Sequence, residues 1–241
     1  MTPADKDARG KLKDKVHYVR PIIDVLQKSF RRFWRLGREV SVDEGGVPYK
    51  GKWCPIKCYN SKKPRQWFIK LWLLTCAKTS YCWNFKIYEG KGETWDGETK
   101  AWVKKFGAAE RVVLGLTRPL AQYAIKTFGD FVCFVVTCDR YFSSPLLCRA
   151  LDFLRGMRLN GTIMMNRKHM PKENFRLTKG DTNRGFYKYK ATVQEDIVAC
   201  IWRDRNIVAF ISSAYSPTKS TTNRVTGTQF VWLYTLRLDI C

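Results

Sequence analysis

Asp43 is the first residue whose type and placement could do chemistry. It closes an alternating segment in which Val40 and Val42 share one face and Asp43 lies on the other. The pattern predicts a short strand that ends at Asp43 and turns at the pair Gly45-Gly46. A carboxylate held in this way is suited to binding a metal ion, a hydrogen-bond donor or a cation. The plainer interpretation is an aspartate that caps the turn after the strand.

A second aspartate, Asp139, follows an almost unbroken apolar run at residues 131–138. A strand that is apolar on both faces is typical of the centre of a sheet covered by helices. Ligands of open α/β sheets bind at the carboxyl ends of strands, so Asp43 and Asp139 are the candidate ligand-binding carboxylates. The neighbouring Arg140 favours an alternative for Asp139, which is a surface ion pair.

The overall charge indicates what kind of partner the chain binds. Among 241 residues, 44 are Lys or Arg and 21 are Asp or Glu, which gives a formal net charge of +23. Such an excess favours a polyanionic partner, and nucleic acid is the leading class. No apolar segment reaches the length of a membrane-spanning helix, and the N-terminus has no signal-like apolar region. We therefore expect no membrane partner and no secretion.

The cysteines and histidines limit the other kinds of chemistry. Nine cysteines lie mostly within apolar strands without histidine ligands nearby, which favours reduced, buried thiols over a structural zinc site. With His17 and His169 as its two histidines, the chain has little material for a Ser-His or Cys-His nucleophile. Cys138 is predicted to pack within a strand rather than to act as a nucleophile.

A basic and aromatic segment, residues 50–72, is the candidate surface for nucleic acid. Its aromatic residues Trp53, Tyr59 and Trp67 are interspersed with lysines, while Phe68 and Trp72 are predicted to be core. An alternative interpretation is a solvated face around core tryptophans. Contacts between basic side chains and phosphates supply most of the sequence-independent affinity of a protein for nucleic acid. The residues predicted to contact DNA are Lys50, Lys52, Lys62, Lys63 and Arg65.

Apolar periodicity predicts an α/β fold, a mixed sheet flanked by helices. A helix begins near Val16 with Pro21 in its first turn and stops by Gly37, and residues 89–107 are predicted as a loop. A helix at 109–120 is predicted to kink or end at Pro119, and Ser143 or Ser144 is predicted to cap another. Strands are predicted at 68–74, 81–88, 131–138, 161–165, 197–202 and 207–212.

Two carboxylates on such a sheet suit one economical mechanism. Mg²⁺ takes oxygen ligands and is commonly held by one or two carboxylates plus substrate phosphates. Two such ions can activate a water or a 3′-hydroxyl and stabilise the leaving oxygen of a phosphodiester. The mechanism needs no histidine and no nucleophilic side chain, which fits this composition.

The motifs around both aspartates resemble those of the piggyBac transposase family. Ser41-Val42-Asp43-Glu44 resembles the first-aspartate motif, and Thr137-Cys138-Asp139-Arg140 resembles the second. Further matching segments follow in family order at 19–24, 47–52, 59–60, 62–64, 69–72, 160–162, 166–168 and 170–173. Together the motifs cover roughly residues 15–217.

The resemblance implies an RNase H-like catalytic domain with a polar insertion after the fifth strand. It also implies a site of three aspartates and two metal ions, Mg²⁺ or Mn²⁺, for cut-and-paste transposition at TTAA targets. Asp43 and Asp139 match the first two positions. No motif resembling the third is found, and the surroundings of Asp239 do not match. Arg140 stands where the family commonly has Asn, which places a cation beside Asp139.

The predicted organisation is a disordered N-terminus at 1–14, a transposase-derived domain at 15–217 with an insertion at about 166–213, and a divergent tail at 218–241. The fold is therefore expected to lack part of its C-terminal region. The favoured hypothesis is a nuclear, DNA-binding protein derived from a transposase, without a complete catalytic triad and without a small-molecule substrate. The alternatives are an active strand-transfer enzyme completed by an unrecognised third acid, or a non-functional remnant. A homodimer is left open.

Overall fold

The computed structural model describes residues 14–90, 95, 99–128, 133–172, 175–177, 185–192 and 197–215. The N-terminal segment predicted to be disordered lies outside this range except for residue 14, and the predicted tail at 218–241 lies wholly outside it. No helix within the described residues has both the length and the apolar character needed to cross a membrane.

The described residues form an α/β fold in which helices separate runs of strands along the chain. The helices are α1 (Arg20–Phe33), α2 (Lys100–Lys105), α3 (Ala108–Phe128) and α4 (Pro145–Arg155). The strands are β1 (Glu39–Pro48), β2 (Lys57–Tyr59), β3 (Trp67–Cys76), β4 (Cys82–Ile87), β5 (Val135–Cys138), β6 (Arg158–Thr162), β7 (Tyr187–Thr192), β8 (Ile197–Arg203) and β9 (Ile207–Ser212). The chain divides into two units, 1–119 and 120–241, which are described in turn.

The first unit is organised around β3. Strand β1 pairs antiparallel with it along one edge, from Val40 opposite Cys76 to Pro48 opposite Phe68. Strands β2 and β4 pair antiparallel with the other edge, at its beginning and its end respectively. The predicted hairpin of β3 and β4 is confirmed, and so is the predicted burial of Phe68 and Trp72.

Helices cover both faces of the strands in this unit. Ile23 of α1 joins Ile56 and Phe85 in a core cluster on the face that carries Leu71 and Leu73. On the opposite face the buried Asn84 donates from Nδ2 to the carbonyl of Leu116 in α3, at 3.0 Å. Sheet side chains alternate between faces, so α1 and α3 lie on opposite sides of the strands.

Helix α1 has the predicted start but buries little of its apolar surface. Pro21 lies in its first turn, as predicted, and the helix ends at Phe33, before Gly37. Ile23 is buried, whereas Ile22 and Val25 are each 62% exposed. The apolar spacing therefore predicted the helix correctly but does not mark a fully buried stripe.

The largest correction concerns β1, which does not end at Asp43. The strand runs on through the glycine pair, with Gly45 opposite Leu71 and Gly46 opposite Lys70. A Cβ atom on Gly45 would lie 2.6 Å from Cδ1 of Leu73, so the glycine makes room for that side chain over the strand. The glycine pair therefore serves close packing within a strand rather than a turn.

The second unit has both parallel and antiparallel pairing. β5 and β6 are parallel, while β6 pairs with β9, β9 with β8 and β8 with β7 in antiparallel fashion. Helix α4 packs on β6. Ser144 caps α4 by accepting the N–H of Leu147 at 3.0 Å, and Gly156 ends it in the left-handed conformation with φ 57°. The α/β class with mixed strand pairing and flanking helices is thus confirmed.

Several predicted boundaries are wrong for identifiable reasons. Helix α3 continues past Pro119 to Phe128, because Leu116, Leu120 and Ala124 are all completely buried along it. Tertiary burial here outweighs the hydrogen bond that proline removes. Within the segment predicted as a loop, Thr99 caps the short helix α2 by accepting the N–H of Trp102.

The strand predicted at 161–165 instead spans Arg158–Thr162, because its register is set by parallel pairing with β5. The strands predicted at 197–202 and 207–212 are confirmed as β8 and β9. β7 was not predicted, and it pairs with β8 along its whole length. Part of the predicted insertion at 166–213 is therefore sheet structure.

Gly161 provides a test of how β5 and β6 pack. A Cβ at this position would overlap the backbone carbonyl of Cys138, directly before Asp139. We expect Gly161→Ala to lower the free energy of unfolding by about 1–3 kcal/mol, because backbone atoms must shift. Urea unfolding of the full chain measures this. Gly37→Ala is the control, since nothing lies within 4 Å of its Cβ position, and it should change stability by less than about 0.5 kcal/mol.

Candidate functional site

Asp43 lies in the middle of β1, opposite Leu73, and is exposed. It is on the face opposite the buried Val42, as the alternation predicted. Its Oδ1 accepts the backbone N–H of Glu44 at 2.7 Å. A rigid strand therefore holds the carboxylate, as predicted, but Asp43 lies within that strand rather than at its end.

Asp139 directly follows β5, as predicted, and the structure shows that it is also exposed. Its Oδ1 accepts the N–H of Tyr141 at 2.9 Å, and its carbonyl accepts from the backbone N–H and the Oγ of Ser143, each at 3.1 Å. Ser143 is completely buried, so it anchors the segment between β5 and α4. The placement of Asp139 is therefore set by a compact hydrogen-bonded turn.

The cation beside Asp139 is not paired with it. No ion pair joins Asp139 to Arg140 in the part of the chain that the structure describes. The carbonyls of Arg140 and Tyr141 instead accept hydrogen bonds from the guanidinium of Arg167. Arg167 thus stabilises the loop after Asp139 through the backbone carbonyls of that loop. The Asp139 carboxylate is left exposed.

The donor set gives a partial fit to a magnesium site. Asp43 and Asp139 are exposed carboxylates, each with one oxygen engaged by a backbone N–H. Oxygen donors of this kind suit Mg²⁺. Within the described ranges, however, no group of three His, Cys, Asp or Glu side chains is arranged to hold a metal ion. The described residues therefore do not make a complete metal site.

Glu44, which the sequence did not single out as a site residue, forms a charged cluster next to Asp43 in the chain. Its carboxylate pairs with Lys63 at 2.9 Å and with Lys70 at 2.7 Å. Partial burial opposes ionisation, but hydrogen bonds from Lys70 and Lys63 outweigh it and lower the pKa of Glu44. By strand alternation, Glu44 and Lys70 lie on the face opposite Asp43.

Lys63 differs from the other residues predicted to contact DNA because it belongs to this charged cluster. The ammonium group of Lys63 pairs with Glu44 and lies 4.8 Å from the ring centroid of Phe68. The remaining four are exposed, and no ion pair involves them among the described residues: Lys50, Lys52, Lys62 and Arg65. These four are therefore the cations most accessible to phosphate.

A tight loop between β2 and β3, residues 60–66, presents two of these cations. Asn60 begins it, with its side-chain oxygen accepting the N–H of Lys62 at 3.0 Å and its carbonyl accepting the N–H of Lys63. The N–H of Asn60 in turn donates to the carbonyl of Gln66 at 2.9 Å, which closes the loop. Lys62 and Arg65 are therefore carried on an ordered hairpin loop.

Aromatic side chains flank this loop on the two strands. Tyr59 of β2 is opposite Trp67 of β3, and their ring centroids are 4.7 Å apart. The ammonium group of Lys57 lies 4.6 Å from the ring centroid of Trp67 and donates to the carbonyl of Gly51. The aromatic spacing was visible in the sequence, but the pairing of these side chains depends on the register of β2 with β3.

A model of the Transposase IS4 family matches residues 2–233 of the chain. The chain belongs to this family. The match covers the strands that carry Asp43 and Asp139, and it extends beyond the range of 15–217 that the motifs suggested. The piggyBac-type assignment predicted from the sequence is confirmed.

The fold of this transposase-family chain is similar to that of a solved piggyBac transposase synaptic complex with hairpin DNA. The TM-score is 0.69 at 22% sequence identity, and the likeness covers 87% of this chain. It covers 40% of the solved protein, so the chain spans less than half the length of that relative. At this identity the likeness supports the fold.

The Glu44 cluster predicts a pH-dependent contribution to stability. The folded-state pKa is lowered, so the contribution is present above the unfolded-state pKa and is lost as pH falls through the folded-state value. Glu44 is more than a third exposed, so each ion pair contributes about 0.2–1 kcal/mol. We expect Glu44→Gln to lower the free energy of unfolding at neutral pH and to converge with the unmodified chain at acidic pH.

Denaturant unfolding across the acidic range measures this effect. Asp24→Asn is the matched control, because it removes one acidic charge from an exposed position on α1. A loss of stability that is equal in both variants, or that persists at low pH, would contradict the role assigned to Glu44.

Proposed function

We propose that this transposase-family chain binds DNA through the cations that surround the β2–β3 hairpin. The observation that carries the proposal is the exposure of Lys50, Lys52, Lys62 and Arg65 in a chain with a net charge of +23. Lys63 is a secondary contact, because its ammonium group must leave the Glu44 carboxylate or be shared between that carboxylate and a phosphate. Phosphate contacts of this kind supply sequence-independent affinity.

The comparison with a piggyBac transposase bound to hairpin DNA supports DNA as the polyanion. We also propose nuclear localisation, on the basis of the transposase family and the net positive charge. No small-molecule substrate is part of the proposal. Competition between duplex DNA and RNA for the chain tests the choice of DNA over another nucleic acid.

For catalysis, we propose that Asp43 and Asp139 occupy the first two metal-binding positions of the family and that this chain does not cleave DNA. The family match ends at residue 233, and neither Asp nor Glu occurs between Pro217 and that residue. The matched span after Pro217 therefore supplies no third acid. Were the site completed, Mg²⁺ or Mn²⁺ would supply activation of the attacking oxygen.

Salt-dependent DNA binding tests the proposed interface. We expect the affinity for duplex DNA to fall linearly with salt on logarithmic axes, and Lys62→Ala and Arg65→Ala each to reduce the slope by about 1. Fluorescence anisotropy of a labelled duplex measures both quantities. Lys78→Ala is the control, because Lys78 lies just beyond the opposite end of β3 and should leave the slope unchanged. An equal effect of all three substitutions would reject this surface.

A nicking assay tests the catalytic part of the proposal. We expect supercoiled DNA to stay intact in the presence of Mg²⁺ or Mn²⁺. Metal-dependent cleavage that is lost in Asp43→Asn would establish the alternative, an active strand-transfer enzyme completed by an unrecognised acid. The absence of both binding and cooperative unfolding would favour a non-functional remnant.

A further inference from the structure

We infer that Tyr59 and Trp67 form a stacking platform for unpaired DNA bases. This inference rests on the proposed DNA binding and adds a second mode to it. The exposed cations contact phosphates, and the aromatic pair contacts the faces of bases that have left the duplex. The two side chains are named the Tyr59–Trp67 platform.

The exposure of the two rings is the first observation. Tyr59 is 54% exposed and Trp67 is 46% exposed, although they are directly opposite on paired strands. Their ring planes are tilted by 49°, so the rings do not cover one another as a parallel stack would. Nearby along the chain, Trp53 is 95% exposed. Ring surface thus remains available to a flat ligand.

Charge around the platform is the second observation. Lys57 lies against the ring of Trp67, and the hairpin loop that joins the two strands carries Lys62 and Arg65. Bases stack on aromatic side chains while neighbouring cations hold the backbone, which is how proteins bind single-stranded nucleic acid. A negatively charged, flat ligand with exposed ring faces fits this surface better than an apolar peptide does.

The position of the platform relative to Asp43 is the third observation. Residues of β3 with odd numbers share a face, so Trp67 lies on the same face as Leu73, the residue opposite Asp43. Six residues of β3 separate these two points, a distance of about 20 Å at the usual rise of a strand. Between these points Ile69 and Leu71 pack against the core cluster that contains Ile23 of α1, so the platform is a surface separate from the surroundings of Asp43.

Unpaired bases are the specified ligand because a duplex hides its base faces. In a duplex each base is stacked on its neighbours, so only the groove edges and the backbone are accessible. Contact with an aromatic ring face requires a base that is unpaired, flipped or at a strand end. The platform therefore predicts a preference that the cations alone do not produce.

A simpler role for the pair is stabilisation of the β2–β3 hairpin, since cross-strand aromatic pairs stabilise sheets. This role predicts a loss of stability in Trp67→Leu but no selective loss of binding to unpaired bases. Trp67→Phe separates the two, because it keeps an aromatic face and most of the buried area. Phe33→Leu is the control for loss of an exposed aromatic residue, being 75% exposed on α1.

The experiment compares the full chain and these variants on an oligothymidine of about 20 bases, on an abasic oligonucleotide of equal length and on a duplex. We expect Trp67→Leu to weaken oligothymidine binding about 5- to 150-fold, the range for loss of a stacked base, with the salt slope unchanged. Binding to the duplex and to the abasic strand should change by less than about twofold. Trp67→Phe should restore most of the affinity, and Phe33→Leu should have no effect.

Three results would overturn the inference. Equal losses on all three ligands would show that Trp67 acts through the hairpin or through general charge, and an unchanged oligothymidine affinity would show no stacking. Failure of Trp67→Phe to restore affinity, in a chain whose urea unfolding is unchanged, would exclude the aromatic face. Normal salt-dependent duplex binding alongside any of these results leaves the proposed function intact, whereas loss of all DNA binding in the unmodified chain rejects both.

Discussion

The pairing of β1 with β3 is the constraint on which the rest of the first unit depends. It runs without interruption from Val40 opposite Cys76 to Pro48 opposite Phe68. Strand alternation then assigns adjacent acids to opposite faces: Asp43 lies with Leu73, and Glu44 lies with Lys70. A shift of the register by one residue would exchange these faces and place Asp43 among the core residues. The face on which Asp43 lies is thus maintained by backbone pairing.

Small residues make this arrangement possible at both aspartates. Gly45 leaves room for Leu73 over β1, and Gly161 leaves room for the carbonyl that precedes Asp139. In close-packed structures, a single added carbon at such a point must displace its neighbours. Each aspartate therefore lies close to a glycine at which a larger residue would disturb the local packing.

Charge is divided between two uses in this transposase-family chain. Lys63 and Lys70 neutralise Glu44, and Arg167 braces the loop after Asp139 through backbone carbonyls. These contacts are internal and contribute modestly to stability. Four exposed cations form no ion pair among the described residues and are therefore available to a polyanion: Lys50, Lys52, Lys62 and Arg65. The number of basic residues, 44, therefore overstates the number of cations available to a polyanion, because some of them are already paired.

The sequence alone determined the family, the α/β class, the hairpin of β3 and β4 and the place of Asp139 after β5, because each rests on a motif or on neighbouring residues. It also limited the cap of α4 to Ser143 or Ser144, and the structure decided for Ser144. Tertiary structure decided that β1 continues through the glycines, that α3 passes Pro119 and that Lys63 pairs with Glu44. It also decided that Tyr59 meets Trp67. These outcomes depend on pairing and burial between distant segments, whose free energies exceed the local preferences of glycine, proline or a single charge. Local patterns thus identified the carboxylate, and long-range pairing determined the strand that holds it.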